Sequence, residues 1–446
     1  MNDGPSSELP DYRINDPKLG ELPAAQLRKL QSERLVAMVG HVYRRAPFWR
    51  RKLDATGVGP SDITGIQDIR RLPTCDKNEL LAEQEADPPF GGYTCTPAAH
   101  WVRYFTTSGT TGRPLRRVFS SRDWRQVLDW AARKPALVHA GERVLLTTPV
   151  DGLMGATIIT EAVQAQGGLV VQAGTRTDLH KVEAIAELRP VMVTGSPSYL
   201  LHLGQVAADA GIDLRACGVR VIWAFGEPGC AVEATNRALR EQFGARTLLD
   251  GLGMTELLPL GGNCPHSTDQ HLNDDCFFTE CLHPDRDEPV PPGELGELTY
   301  TNLISDTHPL LRYRSGDLGV LSDGSPCACG STHTRIVGSV QGRTDDMIWY
   351  RGANIFPSAV EAVVRSLPGL GTEYRLLRSE GSSTLTIQVE AADPIDAAAR
   401  AALAETTSEA LQNGVRERIP VQVLAPGELP RADGLHKTRR VVDASP

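Results

Sequence analysis

Four short apolar runs decide the reading of this chain: ERVLLTTPV (142–150), GGLVVQAG (167–174), VMVTGSP (191–197) and VRVIWAFGEPG (219–229). Each is rich in Val, Leu or Ile and bounded by Gly or Pro, the pattern of a strand buried on both faces. A Gly-rich loop and a helix follow the first run, and HKVEAIAELRP (180–190) and SYLLHLGQVAADAG (198–211) read as further helices. Helices alternating with short buried strands imply an α/β fold with a mostly parallel sheet. The strand ends at Ser196, Gly226 and Gly251 run into Gly-rich turns, where open α/β sheets bind ligands.

Upstream, residues 21–57 read as helical, with Leu27, Leu30, Leu35, Val36 and Val39 recurring near a helical period. LPTCDKNELLAEQ (72–84) offers Asp76 as the N-cap of another helix. Beyond Pro291 the texture changes: GELGELTYTNL (293–303) and PLLRYRSGDLGVL (309–321) look like antiparallel strands around turns. Past about residue 345, STLTIQVEAA, an Ala-rich helix from about residue 396 and IPVQVLAP outline a small α+β part.

At 446 residues the chain suits a large domain plus a smaller one. Its 46 basic and 55 acidic residues leave a net charge of −9, which argues against a nucleic-acid coat or a polybasic membrane anchor. No stretch approaches the roughly 20 apolar residues of a membrane span. The start, MNDGPSSELPDYRIND, lacks the basic and apolar segments of a secretory signal. Nine cysteines, several near histidines, suggest reduced thiols or a metal rather than a disulfide framework, and hence a cytoplasmic protein.

The sharpest chemical signal is Thr106-Thr107-Ser108-Gly109-Thr110-Thr111-Gly112-Arg113-Pro114. Small residues let the backbone approach a polyanion, N–H groups and hydroxyls can cradle phosphate oxygens, and Arg113 adds charge. The spacing is not that of the Lys-Ser/Thr P-loop. Four further motifs follow in order: Gly226-Glu227-Pro228, Leu252-Gly253-Met254-Thr255-Glu256, Tyr313-Arg314-Ser315-Gly316-Asp317 and Gly342-Arg343-Thr344-Asp345-Asp346. Together, over roughly residues 100–443, they resemble the adenylate-forming superfamily of acyl-CoA synthetases and adenylation domains. GEPG, RYRSGDLG, CACGSTHTRI and GRTDDMIWYRGANIFPSAVE make the chain most similar to the phenylacetate–CoA ligase branch.

The resemblance implies ATP-dependent activation of a small, aromatic carboxylic acid as an acyl-adenylate, then transfer to CoA or, alternatively, to a carrier-protein thiol or another small nucleophile. A non-catalytic nucleotide-binding relative is the remaining alternative. It implies that Thr107 and the Ser108–Arg113 loop hold the pyrophosphate end, that Thr255 touches the α-phosphate, and that Glu256 holds Mg²⁺. Gly226, Glu227, Pro228, Gly253 and Met254 would line the nucleotide. Asp317 would accept from the ribose hydroxyls, and Arg343 would lie near ribose and phosphate. Leu252 stands where the family often has Tyr, so the chain lacks an aromatic ring at this position. Near the C-terminus, LPRADGLHKTRRVVD (429–443) inserts Leu435 and His436 between Gly434 and a lysine, and counting back from Asp443 assigns the adenylation lysine to Lys437.

By the same resemblance, Asp345 is the hinge between a large multi-layer domain (1–344) that binds ATP and acyl group and a small mobile lid (345–446). Gly352 would line the thiol channel. The acyl pocket is expected among Gly152, Met154, Gly155 and Phe225. A homodimer is the family expectation, with no nucleic-acid or membrane partner. The cysteines form a second constellation: Cys264, His271, Cys327 and Cys329 offer three thiolates and one imidazole, a closed structural Zn²⁺ set. On the residues alone His266 competes with His271. The resemblance favours His271, because some members of the branch pair a Cys and a His at this separation with a Cys-x-Cys-Gly.

Overall fold

Apolar runs cut short by Gly and Pro do build a parallel sheet. The computed structural model describes residues 9–10, 12, 14–107, 114–133, 138–151, 153–227, 229–351, 353–379, 385–430 and 440–444. The chain forms two compact units: Met1–Ala140 with Val150–Gly168 and Gly251–Val337, and Gly141–Pro149 with Leu169–Asp250 and Gly338–Pro446. These units record which segments pack together. The boundary expected at 344/345 concerns which segment moves.

In the second unit, strands Leu169–Gln172, Arg143–Leu146, Met192–Gly195 and Val221–Phe225 lie side by side in that order, all parallel. Leu145 sits opposite Val171 on one side and Val193 on the other, and Val193 opposite Ile222. Met192–Gly195 is buried throughout, whereas the edge strand Leu169–Gln172 is not. Helices Asp178–Leu188, Pro197–Asp209 and Glu233–Phe243 bury Val182, Ile185, Leu200, Leu203, Leu239 and Phe243 in one apolar cluster with the strands.

The α/β class with parallel strands therefore stands as the sequence implied. The C-terminal part matches its outline too. Leu370–Ser379 and Leu385–Ala391 pair antiparallel, Val421–Leu424 and Val441–Ala444 add in parallel, and helices Pro357–Ser366 and Ala397–Val415 accompany them.

In the first unit the helical reading of 21–57 is realised as two helices, Ala24–Arg45 and Pro47–Thr56. The residue before a proline is pushed out of the helical region, and Ala46 is extended at φ −110°, ψ 107°. Asp76 caps the helix Lys77–Ala86 as expected: its Oδ1 accepts from Glu79 N–H at 2.9 Å, and Glu79 Oε2 accepts from Asp76 N–H at 3.2 Å. The helix Met154–Ala165 buries Met154 and Ile158 against Phe105, Phe119, Trp124 and Leu258.

Strands Gly296–Asn302 and Tyr313–Gly319 pair antiparallel as expected, and Phe277–Leu282 adds a third strand that the sequence reading did not place. The strand Thr247–Met254 enters this unit at Gly251 and pairs antiparallel with Leu258–Cys264, which pairs with Ser267–Leu272. Gly261 permits that last pairing, because a Cβ there would lie 1.8 Å from the His271 carbonyl oxygen. Among the described residues no helix is long and apolar enough to cross a membrane.

The strand Tyr313–Gly319 is anchored at its start by Arg312, which is fully buried with a left-handed φ of 42°. Its guanidinium donates twice to Glu280 (2.9 and 3.0 Å), twice to Asp287 (2.9 and 2.5 Å) and once to the Leu72 carbonyl (2.9 Å). Burial pushes the Glu280 carboxyl up, with Arg312 opposing the shift. Removing one partner of such a pair leaves an uncompensated buried charge. Arg312→Met should therefore cost about 3–5 kcal/mol, read as a lower denaturant midpoint at unchanged slope.

Candidate active site and metal centre

The Ser/Thr/Gly loop is tied off at its neck. Thr107 N–H donates to the Leu115 carbonyl and Leu115 N–H to Thr107 Oγ1, both at 3.0 Å, and Thr107 is buried. Ser108, Gly109, Thr110, Thr111, Gly112 and Arg113 lie outside the described residues, as do Gly152, Pro228, Gly352 and Lys437. The strand Arg116–Ser120 leaves the neck and carries Arg117, 1% exposed. Arg117 Nη2 donates to the carbonyls of Glu256 (2.6 Å) and His308 (2.7 Å).

Glu256 occupies the turn between Thr247–Met254 and Leu258–Cys264, closed by Leu257 N–H to Met254 O at 3.1 Å. Leu258 takes a left-handed φ of 76° at the exit of this turn, a strained value for a branched side chain, and burial in the Phe105–Trp124 cluster holds it there. Glu256 is 8% exposed, and Lys77 Nζ stands 3.8 Å from its Oε1. Thr255 and Met254 are half-buried and Gly253 is exposed.

Asp317 is presented by a bulge. Glu297 pairs with Leu318 and Thr299 with Arg314, so Leu298 alone faces Ser315, Gly316 and Asp317. Gly316 adopts φ 77°, which only glycine takes without strain. Its N–H donates to Glu297 Oε1 at 3.0 Å, and Asp317 N–H donates to Ser315 Oγ at 3.0 Å. A bulge of this kind re-aims a side chain out of the ladder. Asp317 is half-buried.

The remaining expected residues divide between the two units. Met154 is buried in the aromatic cluster of the first unit and Gly155 is half-buried beside it, while Phe225 lies in the second. There, Gly226 turns the chain at φ 96°. Glu227 accepts from Ser198 N–H at 2.7 Å and from Ser198 Oγ, so its carboxylate caps the helix Pro197–Asp209. Arg343 Nε donates to Asp345 Oδ1 at 2.8 Å, joining two residues that the motifs had given separate roles.

Cys264, His271, Cys327 and Cys329 place their ligand atoms within 4.8 Å of one another. Cys264 Sγ lies 3.7 Å from Cys327 Sγ, and Cys329 Sγ lies 3.7 Å from His271 Nε2. Tetrahedral zinc with Zn–S near 2.3 Å and Zn–N near 2.0–2.1 Å demands ligand–ligand edges of about 3.5–3.8 Å, so the four residues fit that ion. His271 is buried and His266, which is exposed, stands outside the group. The Cys327–Cys329 knuckle is shaped by Gly330 at φ 90° and by Gly330 N–H to Cys327 O at 2.9 Å. Cys75, Cys95, Cys217, Cys230 and Cys276 are buried and form no disulfide.

Sequence reasoning missed Lys77 and Arg117. The local signal for Lys77 was its place just after the cap Asp76, which reads as helix chemistry alone. Arg117 carried none.

A neck that ties off a Ser/Thr/Gly loop, a clamped carboxylate turn and a bulge-mounted aspartate define a class, and comparison with known proteins agrees. The AMP-binding enzyme model matches residues 30–302, and the AMP-binding enzyme C-terminal domain model matches 352–445. The chain belongs to the AMP-binding enzyme family. It is 32% identical over 449 residues to the phenylacetate-coenzyme A ligase of Thermus thermophilus, covering 96% of this chain and 98% of that protein. Identity to the phenylacetate-coenzyme A ligase of Escherichia coli is 28% over 450 residues, covering 96% and 98%. The fold matches a solved 2-hydroxyisobutyryl-CoA ligase in its postadenylation state, in complex with R3-HIB-AMP, with a TM-score of 0.90 at 28% identity, covering 98% of this chain and 94% of that one. The resemblance to the phenylacetate–CoA ligase branch is thus borne out over nearly the whole chain.

Proposed function

We propose that this chain is an AMP-forming acid–CoA ligase acting on a small aromatic carboxylic acid. The observation that carries the chemistry is the Glu256 turn, buried and fixed by Arg117 from the strand that leaves the Ser/Thr/Gly loop. The near full-length similarity to two phenylacetate-coenzyme A ligases supports the choice of an aromatic acid.

In the first half-reaction a carboxylate oxygen attacks the α-phosphorus of ATP, the bond to the β-phosphate oxygen breaks, and pyrophosphate leaves. Donors from the 107–113 loop and Thr255 meet the phosphate oxygens on which charge develops. Glu256 would hold Mg²⁺, which neutralises phosphate charge when bound. Asp317 accepts from the ribose hydroxyls. In the second half-reaction the CoA thiolate attacks the acyl carbonyl and AMP leaves.

Lys437 supplies a cation in the first step, and rotation at Asp345 of the segment 345–446 exchanges it for the thiol-facing surface, with Gly352 lining the thiol's path. The Arg343–Asp345 pair is largely exposed, and such pairs contribute only about 0–1 kcal/mol, so the hinge is not locked by it. The Cys264, His271, Cys327 and Cys329 centre holds structural zinc, since four protein ligands leave no open position. A compartment that keeps thiols reduced, the cytoplasm, suits both the free cysteines and the CoA thiol.

Pyrophosphate release with a panel of aryl and aliphatic acids, with and without CoA, tests the reading. Aryl-dependent release with CoA thioester formation is expected. Release without thioester would point to another acceptor, and tight ATP binding without turnover to a non-catalytic relative. Lys437→Ala should slow adenylate formation by about 10²–10³-fold, while thiol transfer from a prepared acyl-adenylate is largely spared. Equal slowing of both steps would contradict the assignment. Metal analysis of protein purified without chelator should find one zinc per chain. Cys264→Ser should lower both zinc content and melting temperature, because metal binding contributes folding free energy.

A further inference from the structure

The helix Lys77–Ala86 is pinned at both ends to parts of the site. At its start, Cys75 bridges Tyr313 in parallel: Cys75 N–H donates to Arg312 O at 3.2 Å and Arg314 N–H to Cys75 O at 2.8 Å. That ties the chain two residues before Lys77 to the strand carrying Asp317. Toward its end, Gln84 exchanges two hydrogen bonds with the backbone of Arg116, from Nε2 to the carbonyl at 2.6 Å and from the N–H to Oε1 at 3.1 Å. Arg116 begins the strand that leaves the Ser/Thr/Gly loop.

The acidic groups of this helix that face other segments are occupied elsewhere. Glu79 pairs with Lys52 at 2.6 Å and Glu83 with Arg51 at 2.7 Å. Lys77 instead reaches out of its helix to a carboxylate on a different element, Glu256, at 3.8 Å. Its side chain is 31% exposed and that of Glu256 10%, so the ammonium reaches both solvent and the carboxylate. Arg117 fixes Glu256 through the backbone carbonyl and leaves the carboxylate oxygens to other partners.

We infer that Lys77 is a positioning residue for nucleotide entry: its ammonium holds the Glu256 carboxylate while the site is empty, and passes to the triphosphate when Mg²⁺·ATP claims that carboxylate. An ammonium and a divalent cation cannot share one buried carboxylate without repulsion. Free metal is thereby disfavoured, whereas metal arriving with nucleotide brings phosphate oxygens for the displaced lysine. The flexible four-carbon stem and three donors of lysine suit such a transfer better than the fixed fork of arginine. This inference rests on the proposed metal role of Glu256.

The test uses the zinc-loaded full chain and Mn²⁺, an oxygen-preferring stand-in for Mg²⁺, followed by electron paramagnetic resonance in the absence of nucleotide. Lys77→Met keeps the aliphatic stem and removes the charge. It should tighten Mn²⁺ binding to the nucleotide-free protein by about tenfold or more and weaken Mg²⁺·ATP binding, measured by calorimetry, by about tenfold, the scale of one charge-assisted contact. Lys77→Arg should keep Mn²⁺ binding weak. Unchanged Mn²⁺ and Mg²⁺·ATP affinities in Lys77→Met, with Glu256→Gln still crippling nucleotide binding, would overturn the inference alone. Mn²⁺ bound equally well by Lys77→Met and by the double variant with Glu256→Gln would overturn the metal role of Glu256 and the inference with it.

Discussion

The buried guanidinium of Arg117 is the interaction on which the first unit's site depends. One nitrogen joins the carbonyls of Glu256 and His308, two segments far apart in sequence, to the strand that leaves the Ser/Thr/Gly loop. The layer beneath is polar as well. Asp123 accepts from Asp306 N–H at 2.6 Å, Thr307 N–H at 3.1 Å and Ser305 Oγ at 3.2 Å, holding the chain that leads into His308. Burial, helped by Arg117, drives the His308 ionisation well below its usual range, so its ring stays neutral. A neutral ring can accept from Val118 N–H at 3.5 Å on one nitrogen while Thr94 Oγ1 meets the other at 2.9 Å. A buried charge that gives one nitrogen to two carbonyls is costly to rearrange, because moving either segment strips it of a partner it cannot replace with water.

Two of the family motifs adjoin a strained non-glycine residue. Leu258, two residues after Glu256, has φ 76°, and Arg312, just before Tyr313, has φ 42°. Each such residue costs on the order of 1–3 kcal/mol and persists only where its surroundings over-determine it. Leu258 is held by an aromatic cluster and Arg312 by two carboxylates and a carbonyl. The strain turns the chain sharply beside the Glu256 turn and at the start of the strand that carries Asp317, and the packing around each residue offsets it.

How much of this was legible in the sequence follows from the range of the interactions. The parallel strands were readable because an apolar run between Gly and Pro is a local pattern, and so was the Asp76 cap. Proline at 47 carried a break that helical periodicity over 21–57 concealed. Of the Cys/His cluster, Cys-x-Cys-Gly was readable as a local knuckle, whereas His271 was preferred over His266 by family resemblance alone; the structure supplies the reason, since His271 pairs with Gly262, two residues from Cys264. Arg117 was not, because its partners lie 139 and 191 residues away and nothing near it in sequence marks them. Lys77 was hidden by the opposite cause. Its local role at a helix start is complete without Glu256.

The C-terminal part carries an apolar core of its own. Residues from Ile348 to Val441 supply an apolar cluster that contains no residue of the parallel layer, and the layer's cluster contains none of theirs. Where the two meet inside the second unit, Ala231 and Val232 share a pocket lining with Phe356 and Ala359, and a hydrogen bond crosses beside them. Thr235 Oγ1 donates to Glu361 Oε1 at 3.4 Å, and the other Glu361 oxygen accepts from Tyr374 within the C-terminal part at 3.2 Å. Burial above all, with the like charge of Glu227 adding to it, pushes the Glu361 carboxyl up against the pull of Arg365 and Arg440. Glu227, which caps a helix of the parallel layer, also attracts Arg440 of the C-terminal part, so like and opposite charges meet across this seam. What stabilises the C-terminal part is its own core, which shares no buried residue with the apolar cluster of the parallel layer.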